Sequence, residues 1–254
     1  MDAAELYNMI FKRKSFHLFR NIGNDKISAD EIEAINQKYK SFSPLYPGIK
    51  TAIKIVPANE TNCKRGQEYC ILLYSEKKDN CLQNIGYLGE QLDLYLVSQD
   101  IGTLWFGIGK TKQPTYEGLD FVIMIAISKV RDEKKFRKDM FKSKRKPVEE
   151  IWSGEQIEGI SEIVRFAPSA CNSQPWYVVH SGATLKVFRY KKPGKRGIMP
   201  IAQVSYYNRI DIGIFMCLLD LCLIHNGISY DIDLYDDYGQ DDEKVLVAVY
   251  NLRQ

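Results

Sequence analysis

The amino-acid sequence predicts an α+β fold made of two similar halves. Predicted elements follow the same order in each half, namely helix, strand, strand, long helix, strand and strand. Each long helix also runs into a glycine, Gly102 in the first half and Gly227 in the second, where a helix C-cap favours this residue. We interpret the repetition as an ancient duplication. The alternative is that any α+β chain of this length shows some such rhythm.

In the first half, helices are predicted over 3–11 and 28–38, the second because Ser28 and Glu31 fit a capping box. A longer helix is predicted over 80–99, where leucine and isoleucine recur at helical spacing. The predicted strands of this half cover 51–56, 68–74, 103–106 and 121–128.

In the second half, a helix is predicted over 155–166, since Ile157, Ile160 and Val164 share one face. A long apolar helix is predicted over 205–226. The predicted strands cover 176–180, 185–190, 229–234 and 245–252.

A basic connector separates the halves. The chain has a net charge of +3, but the stretch from Lys129 to Lys146 holds ten basic and three acidic residues, so the remainder is net negative. Phe136 and Phe141 are interleaved, as in a weak single-strand binder. We favour a solvated linker that aims one or two cations at an anion, and we expect no nucleic-acid partner. The predicted domains are residues 1–130, the connector 131–147, and residues 148–254.

Composition narrows the class further. A length of 254 residues suits one large domain or two small, closely packed ones. The amino terminus is acidic and resembles no secretory signal, and the longest apolar runs are too short to span a bilayer. We therefore expect a cytoplasmic protein without a membrane partner. The six cysteines form no Cys-x-x-Cys pair, so no metal site is expected.

The stretch from Ala167 to Trp176 is the most informative in the chain. Its two prolines exclude ordinary helix and favour extended geometry in the residues before them. The hydroxyl and amide side chains between the prolines both donate and accept hydrogen bonds. Such a turn can hold a flat ligand with polar edges; the alternative is a structural loop with an Asn-based turn.

This stretch resembles the Pro-Ser-x-x-Asn-x-Gln-Pro-Trp signature of the nitroreductase superfamily, flavoenzymes that bind FMN. Nearly the whole chain is similar to a tandem branch in which one chain resembles a fused homodimer. The motifs 84–87 with Glu90, and 211–214, resemble that branch's pattern. The resemblance implies a nitroreductase-like fold, with a mostly antiparallel sheet and a long core helix in each half. It also implies a monomer, because the fused halves already cover each other's dimer face.

The segment 13–19 resembles the superfamily element that grips the FMN phosphate. By this resemblance Arg13 and Ser15 are phosphate ligands, with Lys14 beside them, and a guanidinium offers a dianion a forked pair of donors. His17 stands where the family usually has arginine, so another cation must compensate. Arg145 in the connector matches a family segment that reaches the same phosphate, with Lys144 as the runner-up.

Two further segments complete the site that the resemblance implies. Gly107, Ile108 and Gly109 match a loop whose backbone lies beside the flavin ring. From the signature loop, the residues carried over are Pro168, Ser169, Ala170, Asn172 and Gln174, while Pro175 and Trp176 anchor the loop in the core. Ala170 replaces a usual hydroxyl residue. Cys171 lies in the same loop and could face a ligand.

Each half lacks a site element that the other half has. The second half has nothing like the phosphate element, and at the place of the signature loop the first half has only 42–48. We therefore predict one FMN per chain, held between the halves.

The resemblance implies an FMN-dependent oxidoreductase. NADH or NADPH would donate a hydride to flavin N5, and a nitroaromatic or quinone-type small molecule would accept electrons in a ping-pong cycle. No catalytic side chain is predicted, because the flavin carries the chemistry. The alternative is a flavin-binding or degenerate protein without catalytic activity.

Overall fold

A computed structural model describes residues 3–138, 140, 144–192, 197, 199–237 and 243–253. The α+β class is confirmed. The helices are α1 (Ala3–Lys12), α2 (Ala29–Lys40), α3 (Cys81–Ser98), α4 (Val148–Ile151), α5 (Ser161–Val164) and α6 (Ile201–His225). The strands are β1 (Thr51–Pro57), β2 (Tyr69–Ser75), β3 (Ile101–Phe106), β4 (Thr115–Tyr116), β5 (Leu119–Lys129), β6 (Trp152–Ser153), β7 (Trp176–Ser181), β8 (Thr184–Tyr190), β9 (Ser229–Leu234) and β10 (Lys244–Arg253).

Two sheets repeat one topology. The first has the order β1-β2-β5-β3, with β4 paired to β5, and all its pairs are antiparallel. The second has the order β6-β7-β8-β10-β9, and only the short β6 pairs in parallel. Without β4 and β6, both sheets arrange their four strands as first, second, fourth and third along the chain. This agrees with the repeated element order in the sequence, while the predicted domain boundaries stay a prediction.

The long helices α3 and α6 pack against each other in the core at a pair of glycines. A Cβ atom on Gly86 would lie 2.0 Å from the carbonyl oxygen of Ile210, and one on Gly213 would lie 2.0 Å from that of Gln83. Gln83 and Ile210 each precede their own helix's glycine by three residues. The two contacts are therefore related by an approximate two-fold axis, and only glycine permits such a close approach of backbones.

Local signals placed most elements correctly, although the predicted C-cap at Gly102 is wrong, because Gly102 lies in β3 and the residue with a positive φ after α3 is Asp100. The capping box of α2 is confirmed, since Glu31 N donates to Ser28 Oγ and Ser28 N donates to Glu31 Oε2. The predicted helix over 155–166 is wrong in extent, because only α5 is helical there. Gly159 adopts a φ of +73°, which interrupts a helix, and the apolar Ile160 and Val164 are buried without a long helix. The strands β4 and β6 had no sequence signal.

The connector is less solvated than predicted. Phe136 is buried in an edge-on contact with Phe16, and the Lys12 ammonium lies over the Phe136 ring. Phe141 and the neighbouring part of the connector lie outside the described residues. In the part of the chain that the structure describes, none of the helices combines the length and apolar character of a membrane-spanning segment.

Candidate functional site

A cavity of about 470 Å³ lies between β3, α6 and the signature loop. This volume is within the range of small-molecule sites. Residues far apart in sequence line it, including Ser15, Gly107 and Asn172. The apolar part of the wall contains Leu104, Phe106, Ile123, Met199, Ile210 and Ile214.

Three polar residues from the first half reach the cavity. Phe16 N donates to Thr103 O over 2.9 Å, which places Ser15 and His17 along the edge strand β3. Arg65 lines the same cavity. No motif marked Arg65 in the sequence, although the glycine after it was a signal for a tight turn.

Arg65 lies near the segment 15–19 because the neighbouring Gly66 packs tightly on Phe19 of that segment. Gly66 has a φ of +83°, and a Cβ there would lie 2.8 Å from Phe19 O. Phe19 N in turn donates to Arg65 O over 2.8 Å. The turn thus supplies a cation beside His17, the position at which the sequence lacks one.

Arg145 joins the connector to the signature loop and lines the cavity. Its Nη1 donates to Asn172 Oδ1, and its Nη2 donates to Phe166 O over 3.3 Å. The Arg145 Nε atom is buried and has no partner among the described residues. Burial, followed by the charges of Arg13 and Arg137, lowers the pKa of Arg145 to about 10. The guanidinium therefore remains cationic at neutral pH and has a donor left for an anion.

The signature loop adopts a strained conformation. Cys171, Asn172 and Gln174 have φ values of 52°, 55° and 49°, a region that residues other than glycine seldom occupy. Each such residue costs on the order of 1 kcal/mol, and strain of this kind gathers at functional sites. The Ser169 hydroxyl holds the loop by accepting from Gln174 N over 3.0 Å. At its end, Trp176 is fully buried and stacks on Phe215, which confirms its predicted anchoring role.

Pro168, Ser169, Ala170 and Asn172 line the cavity, but Gln174 does not. The Gln174 side chain is buried behind the loop, where its Oε1 accepts from the backbone of the connector over 2.8 Å. Its role is therefore to fix the loop rather than to meet a ligand.

Asp211, on the cavity face of α6, is a buried acid that the sequence placed in the motif 211–214 but not in the predicted site. Ala170 N donates to both of its carboxyl oxygens, over 3.0 and 3.1 Å, and Ser173 Oγ donates over 3.4 Å. Burial is the main reason why its pKa rises to about 8. Asp211 thus supports the loop at Ala170, where the family often has a hydroxyl side chain.

Arg13 and Lys14 do not line the cavity. Arg13 is buried and binds Asp93 through Nε and Nη2, at 3.0 and 2.8 Å, and Thr103 and Trp105 also donate to Asp93. Lys14 Nζ donates to a backbone carbonyl of the connector. The geometry does not support direct phosphate binding by these two residues, and that role stays a prediction.

The glycine loop meets the cavity with Gly107 and Ile108. Tyr207 of α6 donates to Gly107 O over 2.7 Å, and the Ile108 side chain is 57% exposed at the rim. Gly109 lies behind the wall, where a Cβ would meet Met124 at 2.6 Å.

In the first half, the loop that corresponds to the signature loop is surrounded by different side chains. Tyr46 N donates to Asn84 Oδ1 over 2.9 Å, in the way that Ala170 N donates to Asp211. Nearby, the buried Asp237 pairs with two arginines of the second half and accepts from Gln83 Nε2 over 3.1 Å. A network of charged side chains within the protein thus lies close to Tyr46, in the segment that takes the place of the signature loop in the first half.

Comparisons with known proteins agree with this architecture. The family model described as “Putative TM nitroreductase” matches residues 5–222. A solved structure from Thermotoga maritima, described as a “putative nitroreductase”, covers 100% of this chain and 96% of its own length. Its TM-score is 0.64 at 17% identity, which shows the shared fold alone.

Two other solved structures align over part of the chain. A nitroreductase family protein from Clostridium difficile covers 62% of this chain and 100% of its own length, with a TM-score of 0.44 and 14% identity. A protein from Parabacteroides distasonis, described as “Putative NADH dehydrogenase/NAD(P)H nitroreductase”, covers 58% and 96%, with a TM-score of 0.42 and 12% identity. Neither alignment adds to the argument. No curated protein matches the chain.

Proposed function

From the premise that this chain belongs to the nitroreductase family whose model matches residues 5–222, we propose that it is an FMN-dependent oxidoreductase. In this proposal NADH or NADPH is the hydride donor, and a nitroaromatic or quinone-type molecule is the electron acceptor. The observation that carries the proposal is the cavity shared by Ser15, Gly107 and Asn172. Three segments that resemble separate flavin-binding elements meet there.

The cavity's residues fit FMN. Arg65, Arg145 and Ser15 offer cationic and hydroxyl donors suited to a phosphate, and the buried Arg145 Nε has no protein partner among the described residues. The apolar wall that includes Ile210 and Ile214 suits a planar ring system. When bound, the flavin supplies the hydride-transfer chemistry.

In this proposal the protein's own residues bind and orient the flavin and exclude water from the cavity. The signature loop is pinned from behind by Gln174 and Asp211, so its cavity side is held in place before a ligand arrives. Tyr207 fixes the Gly107 carbonyl and so orients the glycine loop. These fixed contacts reduce the ordering cost of binding. The close packing of α3 on α6 supports the further proposal of a monomer with one FMN per chain.

The absorption spectrum tests the proposal. The purified chain, or the chain after addition of FMN, should show an oxidised-flavin spectrum with one FMN per polypeptide. Addition of NADH or NADPH without oxygen should bleach it, and a quinone should restore it. A chain that neither retains nor takes up FMN would overturn the proposal.

A specific observation favours the alternative of a flavin-binding or degenerate protein without turnover. Arg13 matches the family's phosphate ligand, yet its guanidinium is bound to Asp93. Under this alternative FMN binds weakly or not at all, and neither NADH nor NADPH bleaches any flavin that is bound. The bleaching experiment therefore distinguishes the two functions.

A further inference from the structure

Asp211 combines burial, position and a lack of charge partners. It lines the cavity but is only 3% exposed. Its hydrogen-bond partners are Ala170 N and the Ser173 hydroxyl, and no salt bridge joins it to a cation in the described part of the chain. Because these contacts supply no countercharge, water in the cavity is the remaining means of solvating a carboxylate so placed.

The other half provides an internal control. Asn84 and Asp211 each precede by two residues the glycine at which α3 and α6 cross. The Asn84 amide oxygen accepts a loop N–H over 2.9 Å, and the Asp211 carboxyl accepts one over 3.0 Å. An amide is therefore sufficient for the structural contact. An ionisable group at position 211 therefore needs a reason other than loop support. Of the two residues, Asp211 is the one that lines this cavity.

We propose that Asp211 takes up one proton from solvent when a planar flavin fills the cavity. This inference rests on the proposed function. A ring system in the cavity displaces the water that solvates the carboxylate, and loss of solvation favours the neutral acid. The proton binds to a carboxyl oxygen and replaces a negative charge with a neutral donor facing the ligand. Burial already raises the pKa of Asp211 to about 8, so its ionised form is populated only in mildly alkaline solution.

Other titratable groups face α6 or the cavity, and the experiment must distinguish their protonation from that of Asp211. The cavity wall contributes His17, Arg65, Arg145, Cys171 and Tyr207. The packed elements contribute Tyr7 from α1, Tyr87, Glu90 and Asp93 from α3, and Arg189 from β8.

Most residue types in this set ordinarily keep one protonation state in mildly alkaline solution. Near pH 8.5 an ordinary histidine is neutral and an arginine is charged, and the second ionisation of the FMN phosphate, at about 6, is complete. Burial raises the pKa of Tyr207 further above its usual value. Cys171 is exposed, and a thiol can titrate in this range, so it needs its own control. Glu90 is a buried acid with a raised pKa, but it does not line the cavity.

Calorimetric titration of the full chain with FMN tests the proposal directly. Binding heats measured in two buffers of different ionisation enthalpy give the number of protons taken up per FMN. For the wild type at about pH 8.5 we expect roughly 0.5–1 proton, and at about pH 7 roughly 0.1, from the ionised fraction of an acid with this pKa. The dissociation constant should rise by up to about tenfold per pH unit above pH 8.

Matched variants show which residue takes up the proton. Asp211→Asn keeps an oxygen acceptor for Ala170 N, so it should bind FMN with proton uptake near zero and a dissociation constant that does not change with pH. Asp220→Asn removes another buried acid of α6, whose pKa burial raises to about 6, and should behave as the wild type. Cys171→Ser should also retain the uptake.

The outcomes separate the inference from the function beneath it. FMN binding without proton uptake at alkaline pH, or full uptake by Asp211→Asn, overturns the inference and leaves the flavoprotein proposal standing. A wild type that does not bind FMN at any pH overturns both. Should Asp211→Asn fail to fold, the change in wild-type uptake between the two pH values decides the matter, and equal uptake overturns the inference.

Discussion

Alanine at Gly86 should separate the two core helices and weaken the whole protein. The added Cβ would lie 2.0 Å from Ile210 O and 2.9 Å from Ile210 C, both backbone atoms that no rotamer change can move. Ordinary contact begins near 3.4 Å, so the helices must move apart by on the order of 1 Å. Overpacking of this kind costs about 1–3 kcal/mol, occasionally more, and the higher helix propensity of alanine offsets about 1 kcal/mol.

With the cost taken at its upper end, we expect a loss of about 2 kcal/mol for Gly86→Ala, which for a chain of this size lowers Tm by roughly 4–8 °C. Gly213→Ala should lose a similar amount, because its Cβ would lie 2.0 Å from Gln83 O. The double variant should lose less than the sum of the two, since one separation of the helices relieves both clashes. Ile210 lines the cavity, so each variant should also bind FMN more weakly.

Thermal and urea unfolding measure the loss, and flavin fluorescence measures the binding. Gly48→Ala is the matched control, because a Cβ at Gly48 has no atom within 4 Å and should change Tm by less than about 1 °C. The reasoning is refuted if Gly86→Ala is as stable as Gly48→Ala, or if the double variant loses the full sum.

Three further predictions concern charge. Arg65→Gln should weaken FMN binding by about tenfold or more while leaving riboflavin binding unchanged, and Arg145→Gln should weaken FMN binding more than riboflavin binding, because only FMN carries the phosphate; equal effects on both ligands in fluorescence titrations would contradict this. Arg13→Met should lower the free energy of unfolding by about 3–5 kcal/mol, because it leaves buried Asp93 without its cation, and a melting temperature unchanged from wild type would be inconsistent with that. For Asp211, the folded pKa of about 8 exceeds the unfolded value near 4, so wild-type stability should fall relative to Asp211→Asn as pH rises through this window; urea midpoints at pH 5 and 8.5 measure it, and a constant difference would exclude the buried acid.

The fold was predictable because its signals are local. The capping box at Ser28, the positive φ of Gly227 after α6 and the apolar spacing within α3 depend on residues a few positions apart. The helix predicted over 155–166 was wrong for a local reason as well, since the periodic apolar residues did not reveal that Gly159 takes a positive φ. The periodic spacing of apolar residues indicates which side chains are buried. In this segment a short helix and irregular backbone bury them.

The candidate site was predictable only where a motif lies within one segment. The signature loop from Pro168 to Asn172 lies at the cavity. Arg65 was missed because its place beside His17 results from the packing of one turn on another.

The sequence by itself determined the α+β class, the repeated order of elements and several of the segments that line the cavity, because each rests on the conformational preferences of neighbouring residues. The tertiary structure decided how the charges are used. Arg13 lies 80 residues from Asp93, and Asp211 lies 41 residues from Ala170, so neither contact leaves a pattern in the chain. Which buried charge is paired within the protein and which faces the cavity depends on distances and on access to water, and these exist only once the helices have packed.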